Sequence, residues 1–505
     1  MADGDEKMPA VAHDDDESMD RTWKVGDRVF AVWAGNGCYY SATVKEVNEV
    51  ARNIQVLWDD QETTHQQVPF DKVMEPNEES KAWSTARIDK KAQVRNTPDK
   101  GRCLFTNEAA DPGHVVFVER PTLVALPASA PKLWEHLTKL HEAQPLNLGT
   151  VTFHFAALLS QLQLDAMAID VILDKFVPDQ DEEPGEDVLR ILSSLTDDMH
   201  PNLNLKEQPI DPRRLQRLVS AWRYNSFGHH KEDGLVLYNR ISMCSHSCDP
   251  SCCWSYGEED AFVIRARVNL KPGEELTISY LQDEDLLKST AVRQQKLQNW
   301  RFTCQCARCQ LRIDRGRGFR CRKCRVGVLY ASAAGTLEPC HVCQSLPSQE
   351  DMQMLIHFEE EYVVRVENLD KTDIADVKTV YEAAIDIFER HWVLYVMDTI
   401  LWEAAKEKNM QDAIEHQRRR VEYHEHYYCR PTFILAWCHE ELGDCLQNLF
   451  PHRKWQYVQE FQRAYHMLAI LCGSSHQYTA SPYNKLWQAN AAAQNTGNAA
   501  MDTSN

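Results

Sequence analysis

The sequence predicts a multidomain α+β protein stapled by zinc, and three observations carry that expectation. Its 505 residues exceed what one hydrophobic core organises, so three or four domains are expected. The apolar pattern switches between strand and helix periods several times along the chain. Seven of the 17 cysteines fall between residues 304 and 343, where their spacing reads as metal ligation.

Residues 1–20 are acidic and poor in hydrophobes, so a disordered tail is expected there. Residues 22–76 hold about five short β-branched and aromatic runs divided by Gly, Asn and Asp, the texture of a small β-barrel. Residues 77–98 read as a linker into a β-rich domain spanning 90–310. That domain is interrupted at about 131–223 by a helical insert without cysteine. In the insert, PKLWEHLTKLHE carries Leu133, Leu137 and Leu140 on one face, with Pro131 suited to the first turn. DPRRLQRLVSAWRY supplies an Asp cap and Pro before Leu215, Leu218, Val219 and Trp222 at helical spacing. DQDEEPGED, residues 179–187, reads as an acidic loop between helices. Residues 311–348 are expected as a zinc ribbon and 350–487 as helices stacked in antiparallel pairs, loosely TPR-like. DVKTVYEAAIDIFERHW reads as one of those helices. Residues 488–505 are of low complexity and expected to be disordered.

Composition narrows the function. Hydrophobic residues are 43% and charged residues 26%, ordinary for a globular protein. No apolar run approaches the roughly 20 residues of a membrane span, and the acidic N-terminus lacks the apolar core of a secretion signal. A nuclear or cytoplasmic protein is expected, where disulfides are rare, and a monomer. The net charge of -20 argues against broad nucleic-acid binding and suits a partner with a basic segment, although plain solubility explains it equally. RIDRGRGFRCRKCR, residues 312–325, has seven basic residues and reads as the solvated face of a zinc module, with an acidic partner as the alternative.

The cysteines form two groups. Cys321-x2-Cys324 and Cys340-x2-Cys343 match a four-cysteine zinc ribbon, each knuckle presenting two thiolates to one ion. FTCQCARC supplies Cys304, Cys306 and Cys309, one short of the four ligands a structural zinc takes. Cys244, Cys248, Cys252 and Cys253 are the candidates for the fourth corner. Cys248, at the turn before Pro250 in ISMCSHSCDP, is the best placed to point outward.

SHSCDPSC, GEELTISY at 273–280 and FTCQCARC at 302–309, in this order, resemble the SET-domain protein lysine methyltransferases, most closely the SET-and-MYND group. KGRCLF at 100–105, VVFVERP at 115–121, RYNSF at 223–227 and ILCGSSHQY at 470–478 extend the resemblance over about residues 90–480, without an evident MYND finger. It implies an S-adenosylmethionine pocket lined by Lys100, Gly101, Arg102, Asn225, Ser245 and His246, with Phe302 against the adenine. It implies Tyr280 as the catalytic tyrosine, also at the cofactor, and Trp300 as the substrate-channel aromatic. It implies a post-SET zinc on Cys248, Cys304, Cys306 and Cys309. Ser245 stands where the family usually has asparagine, and Cys103 at the second glycine of its Gly-x-Gly turn.

The implied reaction is methyl transfer to a lysine of a histone or another protein. The target amine, with a pKa of about 10.4, must lose its proton first. A dry aromatic channel and a sulfonium neighbour both lower that value. The barrel resembles a Tudor-like domain, in which Trp33, Tyr40 and Trp58, with Asp59 or Asp60, would cage a methylated peptide side chain and point to chromatin. The alternative is a non-catalytic methyl-lysine reader or scaffold with a degenerate SET domain.

Overall fold

The structure is a computed structural model that describes residues 22–33, 38–58, 63, 65–74, 88–177, 183–257, 260–332, 335–428, 430–474 and 476–501. The expected acidic tail lies outside them. The chain divides into two compact units, residues 1–87 and 88–505.

The first unit is one antiparallel sheet of β1 (Arg28–Trp33), β2 (Cys38–Asn48), β3 (Asn53–Trp58), β4 (Gln67–Pro69) and β5 (Val73–Met74). The strand order is β4-β3-β2-β1-β5. The two edge strands are consecutive in the chain and joined by a single turn at Phe70–Lys72, so the sheet curls toward closure. Burial alternates along β3: Ile54, Val56 and Trp58 are buried and their neighbours are not, the period of a sheet with one dry face. Trp58 is 5% exposed inside this core. Trp58, expected as one wall of the cage, thus packs into the core of this sheet. Register places Trp33, Tyr40 and Trp58 on one face of the sheet. The side chains of Trp33 and Tyr40, and the Asp59–Asp60 pair, lie outside the described residues.

In the second unit, part of the expected linker is instead β6 (Ala92–Thr97), which forms a hairpin with β7 (Gly101–Thr106). Gly101 has φ +70, the left-handed conformation that glycine adopts at no steric cost. Next come β8 (Val115–Glu119) and β9 (Leu123–Ala125). The helical insert then runs through α1 (Pro131–Ala143), α2 (Thr152–Gln163), α3 (Ala166–Phe176), α4 (Glu186–Ser194) and α5 (Pro212–Asn225). Asp211 caps α5 by accepting from the Arg213 N–H, and Trp222 donates to Ser160 across to α2 at 3.0 Å. Glu186 and Asp187, read as loop, form the first turn of α4, where acids complement the helix dipole.

Beyond the insert come β10 (Ser226–Gly228), β11 (Leu235–Leu237), β12 (Ser245–His246), β13 (Cys252–Tyr256), β14 (Phe262–Ala266) and β15 (Thr277–Ile278). The short strands β12 and β15 pair in parallel, which brings two motifs of the sequence side by side. Two short helices follow, α6 (Asp283–Leu286) and α7 (Thr290–Leu297).

The cysteine-rich ribbon is β16 (Ile313–Arg320) and β17 (Val328–Ser332). Helices α8 (Gln349–Glu367) and α9 (Ile374–Ala384) follow. The continuous helix expected at DVKTVYEAAIDIFERHW is corrected: it stops at Ala384, and Phe388–His391 is strand β18, paired with β16. The ribbon's open edge overrides local helix periodicity by offering backbone partners. Gly318 makes the approach possible, since a Cβ there would meet the Glu389 carbonyl oxygen at 2.1 Å. The junction is locked by Arg317, which binds Glu359 through two hydrogen bonds of 2.7 and 2.6 Å, with His391 3.1 Å from the same carboxylate.

The remaining helices are α10 (Trp392–Ala405), α11 (Met410–Tyr427), α12 (Phe433–Leu449), α13 (Lys454–Leu471) and α14 (Gln477–Met501). The tail expected to be disordered carries helical backbone as far as Met501, in keeping with its alanine content. These helices brace the β-rich part. Arg308 stacks over Tyr427 and Tyr428, at 4.4 and 4.6 Å, Tyr423 donates to the Leu287 carbonyl, and Arg267 binds the Tyr428 hydroxyl.

Burial alone would raise the pKa of Glu359, but the hydrogen bonds from Arg317 and His391 outweigh it and hold the value at about 2. A depressed carboxylate stabilises the fold above its unfolded pKa and loses that contribution as pH falls. Glu359→Gln is therefore expected to cost about 3 kcal/mol at pH 7, because it leaves Arg317 buried and unpaired. The deficit in thermal or denaturant stability relative to the parent should shrink as pH falls from about 4.5 toward 2. A deficit independent of pH would mean that the pair does not carry it.

Candidate active site and metal centres

The site is assembled around residues 241–250. Buried Glu119, on β8, accepts the N–H groups of Arg240 (2.7 Å) and Ile241 (2.8 Å), which anchors the chain entering this stretch. Burial raises the Glu119 pKa against those hydrogen bonds. Tyr238 fixes the same loop from the other side by donating to the Asp260 carbonyl at 2.6 Å.

Pairing of β12 with β15 sets His246 beside Tyr280. The Tyr280 N–H donates to His246 Nδ1 at 3.0 Å, and His246 Nε2 lies 3.3 Å from Cys248 Sγ. Both ring nitrogens are thus engaged by the protein, so the imidazole links Tyr280 to a thiol instead of presenting a free nitrogen to a ligand. The Tyr280 hydroxyl donates to the Cys244 carbonyl at 2.7 Å. Burial pushes its phenol well above the usual range, so it stays protonated. Around Tyr280 stand His246 (ring centroids 5.4 Å apart), Trp300 (5.5 Å) and Phe302 (6.2 Å, edge to face).

Protein hydrogen bonds hold the loop carrying Phe302 and three cysteines. Gln294 pairs with both backbone groups of Cys304, at 2.9 and 2.8 Å, and Arg308 donates to the Cys248 carbonyl at 2.9 Å. The ligating atoms of Cys248, Cys304, Cys306 and Cys309 all lie within 4.8 Å of one another. Among the candidates for a fourth ligand, this grouping contains Cys248 alone; Cys252 and Cys253 lie on β13. Cys248 and Cys309 are 3.5 Å apart, close to the roughly 3.8 Å edge of a tetrahedron with 2.3 Å zinc–sulfur bonds. The donor set fits zinc.

Cys321, Cys324, Cys340 and Cys343 form the second such group, with 3.7 Å between Cys321 and Cys343 and between Cys324 and Cys340. Its two knuckles are built alike. Arg325 and Gln344, each following a second cysteine, have φ of 55 and 56°. Each donates its N–H back to the carbonyl of the first cysteine, at 2.8 and 2.9 Å. A third cluster, His229, His230 and Asp260, does not fit a metal as well. His229 Nδ1 accepts the Lys231 and Glu232 N–H groups, so its Nε2 carries the proton and donates it to Asp260.

Lys100 sits at the tip of the β6–β7 hairpin and is ion-paired with Glu275 at 2.7 Å. Ser245 donates to the other oxygen of the same carboxylate. Arg102 lies on β7 and is partly exposed. Asn225 ends α5, its amide donating to the Ala221 carbonyl. No described contact joins Arg102 or Asn225 to the aromatic group. Cys103 is fully buried, its sulfur 3.6 Å from the Thr97 hydroxyl. Sequence reasoning missed Glu275 and the Cys244 carbonyl. Glu275 lies inside GEELTISY and could have been flagged from that motif, whereas a backbone carbonyl has no side-chain signal. Four of the seven basic residues in the run 312–325 are paired within the chain, Arg312, Arg317, Arg320 and Arg322 with Glu338, Glu359, Glu389 and Asp351.

Residues 101–281 match the SET domain family, and residues 7–77 match the SGF29 tudor-like domain. The chain therefore carries a SET domain preceded by a tudor-like domain. It is 30% identical over 169 residues to "Histone-lysine N-methyltransferase ASHR1" of Arabidopsis thaliana, covering 30% of this chain and 34% of that protein. It is 40% identical over 81 residues to "Histone-lysine N-methyltransferase SMYD3" of Homo sapiens (16% and 18%). It is 30% identical over 128 residues to "Protein-lysine N-trimethyltransferase SMYD5" of Homo sapiens (24% and 31%). The chain thus spans about a third or less of the length of these relatives. A solved SET-domain structure of LSMT aligns over 74% of this chain at 12% identity with a TM-score of 0.27, too low to carry a comparison. Among the described residues, no helix is long and apolar enough to cross a membrane.

Elemental analysis should find two zinc ions per chain. Cys248→Ser should retain one, together with the ribbon. Two retained ions in that variant would move the fourth ligand elsewhere.

Proposed function

We propose that the chain is a protein-lysine N-methyltransferase that uses S-adenosylmethionine. The observation that carries this reading is the placement of the Tyr280 phenol, protonated and donating to the Cys244 carbonyl, against His246, Trp300 and Phe302. The motifs that resemble the lysine methyltransferases, and relatives named for that activity, support it. In this reading residues 90–310 form the SET domain with its insert and post-SET zinc, 311–348 the ribbon and 350–487 the helical domain. The strand Phe388–His391, which joins the ribbon sheet, blurs the last boundary.

When bound, S-adenosylmethionine supplies a methyl group on a sulfonium. The chain supplies position and dryness. Trp300 and Tyr280 form apolar walls that disfavour a charged ammonium, so the entering lysine loses its proton more readily. A protonated phenol is not a general base. Its hydrogen is committed to the Cys244 carbonyl, and its oxygen lone pairs remain to orient the amine. Trp300 is bulkier than the tyrosine common in the family and brings no hydroxyl, so the channel wall there differs in shape and offers no hydrogen bond from a phenol. The two cysteine groups would hold zinc as structural staples and take no part in the transfer. The net charge of -20 suits a substrate with a basic segment, from a histone or another protein. With Trp58 buried, a methyl-peptide site in the tudor-like unit would rest on Trp33 and Tyr40.

Calorimetry with S-adenosylmethionine on the zinc-loaded chain should show one binding event. Methyl transfer to mixed histones and lysate proteins should fall about a hundredfold in Tyr280→Phe, with cofactor binding kept. Absence of binding by the folded protein would refute the enzyme reading. Undiminished transfer in the variant would refute the role of Tyr280.

A further inference from the structure

Glu275 occupies a junction that the reading above leaves unused. It lies on the bridge between Phe105 of β7 and the segment entering β15. One carboxylate oxygen is paired with the Lys100 ammonium at 2.7 Å, and the other accepts the Ser245 hydroxyl at 2.5 Å. Lys100 comes from the hairpin tip and Ser245 from β12, so one side chain ties together two residues assigned to the cofactor from distant parts of the chain. The side chains of Lys100 and Glu275 are 38% and 22% exposed, open enough on one side for a ligand to reach them.

We propose that Glu275 is a positioning residue for the zwitterionic amino-acid end of the methyl donor, an inference that rests on the methyltransferase reading. A carboxylate only accepts hydrogen bonds, so the Ser245 hydroxyl must spend its proton on Glu275. Its lone pairs are then left to accept from an α-ammonium. Lys100 has three donors, of which Glu275 takes one, leaving two for an α-carboxylate. Opposite charges are thus presented side by side, as a zwitterion requires. The donor's α-carbon is joined to its sulfur by two methylenes, and His246, next to Ser245, holds the backbone of Tyr280. The charged end is therefore expected near the transfer site, with Phe302 toward the base. The arrangement also accounts for serine where the family usually has asparagine: the carboxylate sets the polarity of a shorter side chain.

Two thioethers separate this role from a merely structural one. S-adenosylhomocysteine has the amino-acid end and 5′-methylthioadenosine lacks it, and neither carries a sulfonium charge. The zinc-loaded full chain should bind the first more tightly than the second by calorimetry. Glu275→Gln should cut that preference about tenfold or more, the effect of one charged hydrogen bond, with binding of methylthioadenosine little changed. Lys100→Gln, at an exposed position that tolerates change, should cut it similarly and covers the case in which the Glu275 variant does not fold. Variants that weaken both ligands equally, or neither, overturn the proposal and leave the enzyme reading intact. Failure of the parent chain to bind S-adenosylhomocysteine refutes both.

Discussion

The convergence of Cys248 with Cys304, Cys306 and Cys309 is the constraint on which the site depends. It joins the loop that carries Phe302 to the stretch that carries Ser245 and His246. His246 extends the constraint inward by touching Cys248 with one nitrogen and holding the Tyr280 backbone with the other. A displacement of the cysteine loop would therefore reach the phenol through two hydrogen-bonded steps. A metal holding the four thiols would stiffen an arrangement that Gln294 and Arg308 already define.

The helical region supports the same constraint from outside. Arg308 lies within the cysteine loop, donates to the Cys248 carbonyl and stacks over Tyr427 and Tyr428. Arg293 donates to Lys288 and Thr290 and reaches the Tyr427 hydroxyl. Arg293 is buried and Arg308 half-buried against aromatic faces and carbonyls, where a planar guanidinium satisfies several acceptors at once. The end of α11 therefore clamps the cysteine loop. The ribbon is fastened to the same region by β18 and by the Arg317–Glu359–His391 group, so the cysteine-rich segment is continuous with the helices behind it.

Much of the organisation was legible along the chain. The Asp211–Pro212 start of α5, Pro131 at the head of α1 and the alternation in the first sheet follow from local rules of capping and periodicity. The two CxxC knuckles are local as well, since each pair needs only one turn. Other features were not legible. FERH carries nothing that forbids a helix; it is a strand because β16 presents an unpaired edge and Gly318 lets it approach. Trp58 carries the same aromatic signal whether it walls a cage or fills a core, and only the curl of the sheet separates the two. The partners of the two His246 ring nitrogens, the Tyr280 N–H and the Cys248 sulfur, were not legible either, because a motif does not tell what each nitrogen meets.

The sequence by itself determined the alternation of strand and helix texture, the cysteine groupings within a turn or two, and the order of the motifs around Tyr280. These depend on neighbours a few residues apart, whose geometry the backbone fixes wherever the segment lies. Only the tertiary structure decided that Glu275 bridges Lys100 and Ser245, that the Cys244 carbonyl takes the Tyr280 hydroxyl, and that a segment of the helical region completes the ribbon sheet; it also brings Cys248, the candidate the sequence favoured, to the loop at Cys304. Each of these is a contact across a long stretch of chain, set by how strands cross and which edges remain open, and side-chain direction at such a crossing is not written in spacing.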